Sequence, residues 1–250
     1  MEYFWLTYVT VMGFVIGSFL NVCIYRIPLH LNIAKGRSFC PSCHTTLKAY
    51  DMVPIFSYLI LRGKCRKCKA PISVQYPLVE ALTGILFLAA FLAHGFTIYS
   101  GLLCLFFCCL IVVSITDIQT MTIPDSLQVF IFILAVINII VSPNEIIEKL
   151  IGLAVISIPM LLIAALTGGF GGGDVKLCAV CGLFLGWKLV LLGAFIGCIL
   201  ASCWSLLLII RKKADKKTLI SFGPFLCIGF LFSALYGSSL INWYLSLLGF

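Results

Sequence analysis

Long apolar segments alternate with short polar ones along most of the chain, and one extended polar stretch, Arg26–Tyr76, follows the first of them. A membrane-spanning helix needs about 20 apolar residues, with a range of roughly 17–25. The pattern predicts eight spans, in chain order: Tyr3–Tyr25, Pro77–His94, Ile98–Thr116, Ser126–Val141, Ile146–Thr167, Val175–Trp187, Leu189–Ile210 and Ser221–Gly249. We expect the short sixth span to cross only half of the membrane or to be tilted. The eighth span is long enough to allow a break at Gly237.

Composition supports an all-α polytopic membrane protein. The chain is 62% hydrophobic and 10% charged, whereas a soluble protein has about 45–50% apolar and 25% charged residues. These values exclude an ordinary soluble enzyme and a disordered chain. The first span lacks a basic leading region and is long for a signal-peptide core, so we expect a retained helix.

The basic residues predict the orientation in the membrane. Nine of the seventeen Lys and Arg residues fall in Arg26–Tyr76, and five more fall in Arg211–Lys217. Excess Lys and Arg mark cytoplasmic loops, so eight spans with the amino terminus outside place both clusters in the cytoplasm. This role in topology accounts for the formal net charge of +8, and we expect no nucleic-acid partner.

The polar stretch contains two C-x-x-C motifs, Cys40–Cys43 and Cys65–Cys68, separated by 21 residues. Two such pairs are typical of a zinc site, in which four thiolates surround Zn²⁺ at about 2.3 Å. Four thiolates leave no open position, which favours a structural ion over a catalytic one. Two alternatives are disulfides, which a reducing cytoplasm disfavours, and a redox dithiol, which needs only one motif. The remaining cysteines are interpreted as packing residues: Cys23, Cys104, Cys108, Cys109, Cys178, Cys181, Cys198, Cys203 and Cys227.

Four acidic residues fall at or just inside the cytoplasmic ends of predicted spans, where an ionisable group suggests function: Glu80, Asp117, Asp125 and Asp174. Asp117 and Asp174 lie on different predicted helices at similar depth, as an aspartyl protease requires. One ionised carboxylate takes a proton from water, and the other, protonated, donates to the scissile carbonyl. A close pair shares one proton. The glycine run before Asp174 permits close approach of backbone and substrate.

Simpler interpretations stand beside the catalytic one. Asp174 is alternatively a helix N-cap, and Asp117 is alternatively a membrane-edge residue in contact with water. Asp125 follows a proline turn and is expected to be an N-cap. Glu80 is expected either to pair with a loop Arg or Lys or to handle a substrate amine. Lys176 lies on another helix face from Asp174, and we expect it to snorkel to the interface.

In this order, the motifs resemble those of type IV prepilin peptidases, the leader peptidase/N-methyltransferases of type IV pilus, type II secretion and competence systems. The compact loop is similar to that of shorter, competence-type members. The resemblance is carried by these segments: Gly17–Val22, Arg26–Pro28, the two C-x-x-C motifs, Gly63–Cys65, Tyr76–Glu80, Asp117 with Pro124–Asp125, Gly171–Leu177 and Phe222–Leu226.

The resemblance implies an enzyme of the bacterial inner or plasma membrane that cleaves prepilin or pseudopilin leaders on the cytoplasmic side, after Gly. It further implies N-methylation of the new amino terminus with S-adenosylmethionine, a cofactor for which the chain shows no glycine-rich Rossmann fingerprint. The implied residues are catalytic Asp117 and Asp174, supporting Gly171, Gly173, Asp125 and Lys176, zinc-binding Cys40, Cys43, Cys65 and Cys68, and methylation-linked Gly63 and Glu80.

The predicted organisation is a first helix at residues 1–25, a zinc loop at 26–76 and a peptidase core at 77–250. Three alternatives remain open: another intramembrane G-x-G-D protease, an ion-coupled transporter with acidic residues on the ion path, and a metal-binding scaffold that docks a partner through its basic loop. A transporter with an inverted repeat would show internal sequence symmetry, and we find none.

Overall fold

The computed structural model describes residues 2–167, 169, 171–211 and 221–247. Within these ranges the regular structure is helical, and the only β-pairing is two isolated bridges, Phe39–Thr46 and Lys64–Pro71. The predicted all-α class is therefore confirmed. Apart from Arg211, the basic cluster predicted at Arg211–Lys217 lies outside the described residues.

The described residues form ten α-helices: α1 Glu2–Arg26, α2 Phe56–Ile60, α3 Gln75–His94, α4 Ile98–Thr120, α5 Asp125–Val141, α6 Ile146–Val155, α7 Ser157–Thr167, α8 Gly172–Leu185, α9 Trp187–Ile210 and α10 Gly223–Leu247. Short 3₁₀ turns lie at Ala49–Met52 and Pro143–Glu145. Six segments are long and apolar enough to cross a membrane: Tyr3–Arg26, Gln75–His94, Ile98–Thr120, Pro143–Thr167, Trp187–Ile210 and Gly223–Leu247.

Two of the eight predicted spans correspond to shorter helices, α5 with 17 residues and α8 with 14. The fifth predicted span is interrupted at Ile156, between α6 and α7. Pro159 lies just beyond the interruption and has no N–H to donate to the preceding turn, which explains the break. At the position where a break was considered, Gly237, α10 is continuous.

The first compact unit, Met1–Thr97, is built on the pairing of α1 with α3. A Cβ atom at Gly13 would lie 2.7 Å from the Cα of Gly84, and one at Gly17 would lie 2.7 Å from the Cα of Glu80. Small residues four apart allow two membrane helices to approach closely. The glycines of α1 therefore fix the position of Glu80 on α3.

The second compact unit, Ile98–Phe250, is built around α4, the most deeply buried of its long helices. Phe106 of α4 stacks on Phe184 of α8, with ring centroids 4.4 Å apart. The helices α5 and α10 pack against α4, and α8 packs against α5 and α6. This packing brings the carboxyl-terminal end of α4 close to the amino-terminal ends of α8 and α10.

Candidate active site and metal centre

The sulfur atoms of the four predicted zinc ligands converge in the first unit. The Sγ atoms of Cys40, Cys43, Cys65 and Cys68 all lie within 4.8 Å of one another. Cys40 Sγ and Cys68 Sγ are 3.8 Å apart, which is about the separation of two thiolates bound tetrahedrally to one Zn²⁺. The four side chains can therefore hold one metal ion.

The two C-x-x-C motifs adopt the same turn. In Cys40–Thr45 the N–H of the first residue donates to the carbonyl of the last at 3.0 Å, and in Cys65–Ala70 the same bond is 2.8 Å. The residue after each second cysteine, His44 or Lys69, has a positive φ, 53° and 60°, and donates its N–H to the carbonyl of the first cysteine. The two motifs are therefore a structural repeat within the loop.

The loop stabilises the thiolate, the form that binds metal, at Cys43 and Cys65, whereas burial and the side chains of the neighbouring cysteines raise the pKa of Cys68 to about 11. Hydrogen bonding with Thr45 lowers the pKa of the Cys43 thiol to about 6. Hydrogen bonds from the Cys68 and Lys67 backbone lower the pKa of Cys65. All thirteen cysteines lie within the described residues, and none of them forms a disulfide. The packing interpretation is wrong for Cys198 and Cys203, which are exposed on α9; the other seven helix cysteines are buried.

A cavity of about 920 Å³ lies in the first unit between α1, the loop and α3. Glu80 lines it and is buried, with 7% of its surface exposed. Its Oε2 atom accepts the backbone N–H of Ile55 at 2.7 Å. No Lys, Arg or His of the described residues forms an ion pair with Glu80. The expected pairing of Glu80 with a loop Arg or Lys is therefore wrong.

The Glu80 carboxylate accepts a hydrogen bond from an unusual turn at Ile55. Ile55 has φ 61° and ψ −52°, and the N–H of Phe56 donates to the carbonyl of Pro54 at 2.6 Å. These values describe a γ-turn of the strained kind, which a β-branched residue rarely adopts. The hydrogen bond from the Ile55 N–H to the buried carboxylate stabilises this conformation.

Gly63 lies next to the same cavity wall. Its φ is +67°, in the left-handed region that favours glycine. Its N–H donates to the carbonyl of Tyr58 at 2.9 Å, and a Cβ atom at Gly63 would lie 2.9 Å from the Tyr58 hydroxyl. Tyr58 lines the cavity, so any larger residue at position 63 must displace that ring.

A second cavity, of about 290 Å³, lies within the second unit. All six residues predicted for the peptidase site line it, and four more residues complete the lining. The full set is Asp117, Met121, Thr122, Ile123, Asp125, Gly171, Gly172, Gly173, Asp174 and Lys176. The structure thus brings the carboxylates of α4 and α8 to one cavity.

Asp117 lies in the last turn but one of α4 and is 5% exposed. Its Oδ2 atom accepts the Gly223 N–H at 3.1 Å and the Ser221 hydroxyl. Gly223 is the first residue of α10, where backbone N–H groups have no partner within the helix and the helix dipole favours negative charge. A Cβ atom at Gly223 would lie 2.6 Å from Oδ2. Asp117 is therefore bound to the amino terminus of α10.

Asp174 is the third residue of α8, and Gly171 is the N-cap. The N-cap interpretation of Asp174 is therefore wrong. The backbone just before Asp174 is hydrogen-bonded to α5, because Gln128 Nε2 of α5 donates to the Gly173 carbonyl at 3.3 Å. No described residue donates a hydrogen bond to the Asp174 carboxylate within the second unit, in contrast to Asp117.

Asp125 and Lys176 form an exposed ion pair at the cavity mouth, with Nζ and Oδ1 2.9 Å apart. Pro124 has the extended backbone of the N-cap, and Asp125 is the first residue of α5. The N-cap prediction for Asp125 is therefore wrong by one residue. Lys176 is exposed and paired with Asp125, and its expected snorkelling to the membrane interface stays a prediction.

Three residues that bind the Asp117 carboxylate or the backbone before Asp174 were not predicted from the sequence: Ser221, Gly223 and Gln128. A signal was present for two of them. Pro224 is the second residue of α10, and proline is common in the first turn of a helix. The segment Ser221–Pro224 therefore marks a helix start, whose N–H groups are available to an anion.

Two family models match the chain: Bacterial Peptidase A24 N-terminal domain at residues 11–94, and Type IV leader peptidase family at residues 104–206. A Bacillus subtilis (strain 168) protein named Prepilin leader peptidase/N-methyltransferase is 35% identical, over 95% of this chain and 96% of its own. Proteins of that name from Legionella pneumophila and Pectobacterium carotovorum subsp. carotovorum are 32% and 33% identical, over 98% and 91% of this chain and 96% and 92% of their own. No solved structure matches the chain.

Proposed function

The chain belongs to the type IV leader peptidase family, as its motifs predicted, and we propose that it is a prepilin leader peptidase that also N-methylates the new amino terminus. It is a multi-pass membrane protein with six helical segments long enough to cross the bilayer. The observation that carries the peptidase activity is the presence of Asp117 and Asp174 on one cavity. An ion-coupled transporter is not favoured, because the near full-length relatives share one enzyme name.

Asp117 is the general base. Hydrogen bonds to a carboxylate stabilise its charged form, and Asp117 accepts two, from Ser221 and Gly223. The amino terminus of α10 adds a favourable dipole. An ionised Asp117 takes a proton from the water that attacks the scissile carbonyl.

Asp174 holds the shared proton and donates it to the oxygen of the scissile carbonyl. It borders the same cavity as Asp117, and no described residue stabilises its charge by a hydrogen bond. Two adjacent carboxylates do not readily ionise together. The asymmetric hydrogen bonding of the pair therefore assigns the base and the acid.

Gly171 and Gly173 provide space for an extended substrate. A Cβ atom at Gly171 would lie 3.4 Å from Asp174 Oδ2, and one at Gly173 would lie 3.3 Å from the Ile123 side chain. Side chains at these positions would occupy the cavity beside the acid. The Lys176–Asp125 ion pair at the cavity mouth is exposed and links the amino-terminal ends of α5 and α8.

The metal held by the four cysteines is a structural Zn²⁺. Four thiolates complete its coordination, and zinc binding supplies folding energy to a loop that has few core residues. The loop carries Gly63 and covers the cavity that Glu80 lines. We assign N-methylation to this cavity, with Gly63 and Glu80 as linked residues. When bound, S-adenosylmethionine supplies the methyl group.

The location follows from the charge pattern and the family. The basic loop Arg26–Tyr76 is assigned to the cytoplasm of a bacterial cell, with the amino terminus outside and leader cleavage on the cytoplasmic face of the inner or plasma membrane. The substrates are prepilins or pseudopilins. The compact loop favours a competence-type system as their source.

The test is cleavage of a co-expressed prepilin, followed by mass spectrometry of the product. Asp117→Asn and Asp174→Asn are each expected to lower cleavage by about 100-fold or more, since positioned acid–base groups contribute about 10²–10⁴-fold. Glu148→Gln is the matched control, because Glu148 forms an exposed pair with Lys188 outside the cavity. Full cleavage by both Asp variants would refute the dyad. The mass of the product also reports methylation.

A further inference from the structure

We propose that the 920 Å³ cavity of the first unit binds a primary ammonium group, held by the carboxylate of Glu80 and the amide oxygen of Asn21. The inference rests on the proposed N-methyltransferase activity and deepens it. That activity brings two ammonium-bearing molecules to the enzyme, the methyl donor and the newly released amino terminus. The cavity therefore contains an amine-binding subsite.

The first observation is a buried carboxylate with no cationic partner. Glu80 receives neutral donors, the Ile55 N–H at 2.7 Å and the Ser18 hydroxyl. Buried charges in proteins are paired, because an unpaired charge is expensive to remove from water. No described cation is paired with Glu80, so the geometry leaves room for a cationic ligand at the cavity wall.

Five basic residues line the cavity, and none of them forms an ion pair with Glu80: Arg26, Arg37, Lys48, Arg66 and Lys67. Two of them have other partners. The Arg26 guanidinium donates to four backbone carbonyls, those of Asn32, Ile33, Lys35 and Gly36, at 2.7–3.3 Å. Arg66 pairs with Asp51 at 2.8 Å and lies over the Tyr50 ring. Neither side chain neutralises Glu80.

The second observation is a buried acceptor with no donor. Asn21 lines the cavity and is 5% exposed. Its Nδ2 donates to the carbonyls of Gly17 and Tyr76 at 3.2 and 3.3 Å, while Oδ1 has no partner. A buried acceptor left without a donor is destabilising.

Asn21 and Glu80 lie on facing sides of the α1–α3 contact. Asn21 donates to Gly17, and Gly17 packs against the Glu80 backbone. An ammonium group carries three donors and one positive charge. It therefore supplies both the charge that Glu80 lacks and the donor that Asn21 Oδ1 lacks, which a neutral or anionic ligand does not.

The experiment measures binding to the full-length protein in nanodiscs, by calorimetry. One arm compares S-adenosylhomocysteine, the demethylated form of the methyl donor, with 5′-methylthioadenosine. Both are neutral at sulfur, and only the first carries the amino-acid part. The other compares a peptide with the mature pilin amino terminus, free or acetylated. Glu80→Gln keeps an acceptor for the Ile55 N–H but removes the charge. Glu148→Gln is the matched control, because it makes the same change at an exposed carboxylate that is paired with Lys188 and does not line the cavity.

We expect Glu80→Gln to weaken the binding of one ammonium-bearing ligand by at least about tenfold, or about 1.4 kcal/mol. The affinity for the counterpart without the ammonium is expected to stay unchanged. Loss in the first arm identifies the amine of the methyl donor, and loss in the second identifies the pilin amino terminus. Glu148→Gln is expected to bind both as the wild type does. Prepilin cleavage by Glu80→Gln verifies that the variant is folded.

Wild-type affinities of Glu80→Gln for both ammonium ligands would overturn the inference. If Glu80→Gln fails to fold, the wild-type protein alone tests the inference. Equal affinity of the wild type for each ammonium-bearing ligand and for its counterpart without the ammonium would also overturn the inference. The proposed function fails separately. A wild-type enzyme that cleaves prepilin but neither methylates nor binds either ligand refutes the methyltransferase assignment, whereas one that methylates with no Glu80 dependence refutes only the amine subsite.

Discussion

The hydroxyl of Ser221 is predicted to position and stabilise the base Asp117 without touching the substrate. The matched perturbation is Ser221→Val against Ser221→Thr, because valine and threonine have nearly the same shape and differ in the hydroxyl. In the structure that hydroxyl donates to Asp117 Oδ2 beside the Gly223 N–H. The valine variant therefore leaves Asp117 with one of its two donors.

The size of the effect follows from the charge on the acceptor. A hydrogen bond to a charged group contributes about 1.5–3 kcal/mol, and about 1.36 kcal/mol changes a rate tenfold. Ser221→Val is therefore expected to lower kcat by about 10- to 150-fold, with KM nearly unchanged because Ser221 does not line the cavity. Ser221→Thr is expected to retain most of the activity.

The assay is cleavage of a purified prepilin by the full-length enzyme in detergent, with kcat and KM determined separately. Equal activity of the Val and Thr variants would refute the positioning role of the hydroxyl. A loss confined to KM would instead show that Ser221 contacts the substrate. Thermal unfolding of both variants checks that the comparison is between folded proteins.

Three further predictions concern the loop and the cavity mouth. Metal analysis is expected to find one zinc per chain and much less in Cys65→Ser; because zinc binding displaces the protons of the thiols, the zinc content is expected to fall as the pH is lowered, and zinc retention that does not depend on pH would contradict the thiolate site. Gly63→Ala, at φ +67° and 2.9 Å from the Tyr58 hydroxyl, is expected to lower methylation severalfold with cleavage unchanged, as mass spectrometry of the product reports; equal loss of both activities would contradict a local effect. Lys176→Met removes an exposed ion pair worth about 0–1 kcal/mol, so cleavage is expected to fall less than about fivefold in a rate assay, and a 100-fold loss would assign Lys176 a direct catalytic role.

Local sequence was sufficient to predict most of the helices and the cluster of four cysteines. Apolar segments of the required length predicted the helices, and the spacing of the cysteines predicted a cluster that the structure brings within 4.8 Å. The position of Asp117 and Asp174 at predicted helix ends suggested that they lie close together, and both line one cavity. These features depend on residues close together in the chain.

The remainder depends on packing between distant segments. The bond between Gly223 and Asp117 joins residues 106 positions apart, and no periodicity reports such a pair. Helix starts were also missed by one or a few residues, because Pro124 and Gly171 took the N-cap positions expected for Asp125 and Asp174. The γ-turn at Ile55 goes against the preference of a β-branched residue, so local propensity does not predict it.

The contact between Asp117 and the start of α10 has a consequence for the biosynthesis of the enzyme. Asp117 leaves the ribosome long before Ser221 and Gly223, and it lacks both donors until α10 enters the membrane. During that interval we expect the nascent chain to be a poor protease, because the proposed base lacks the groups that stabilise its charge. Full proteolytic activity is therefore expected only after α10 has been inserted, which would limit cleavage of neighbouring polypeptides at the translocon.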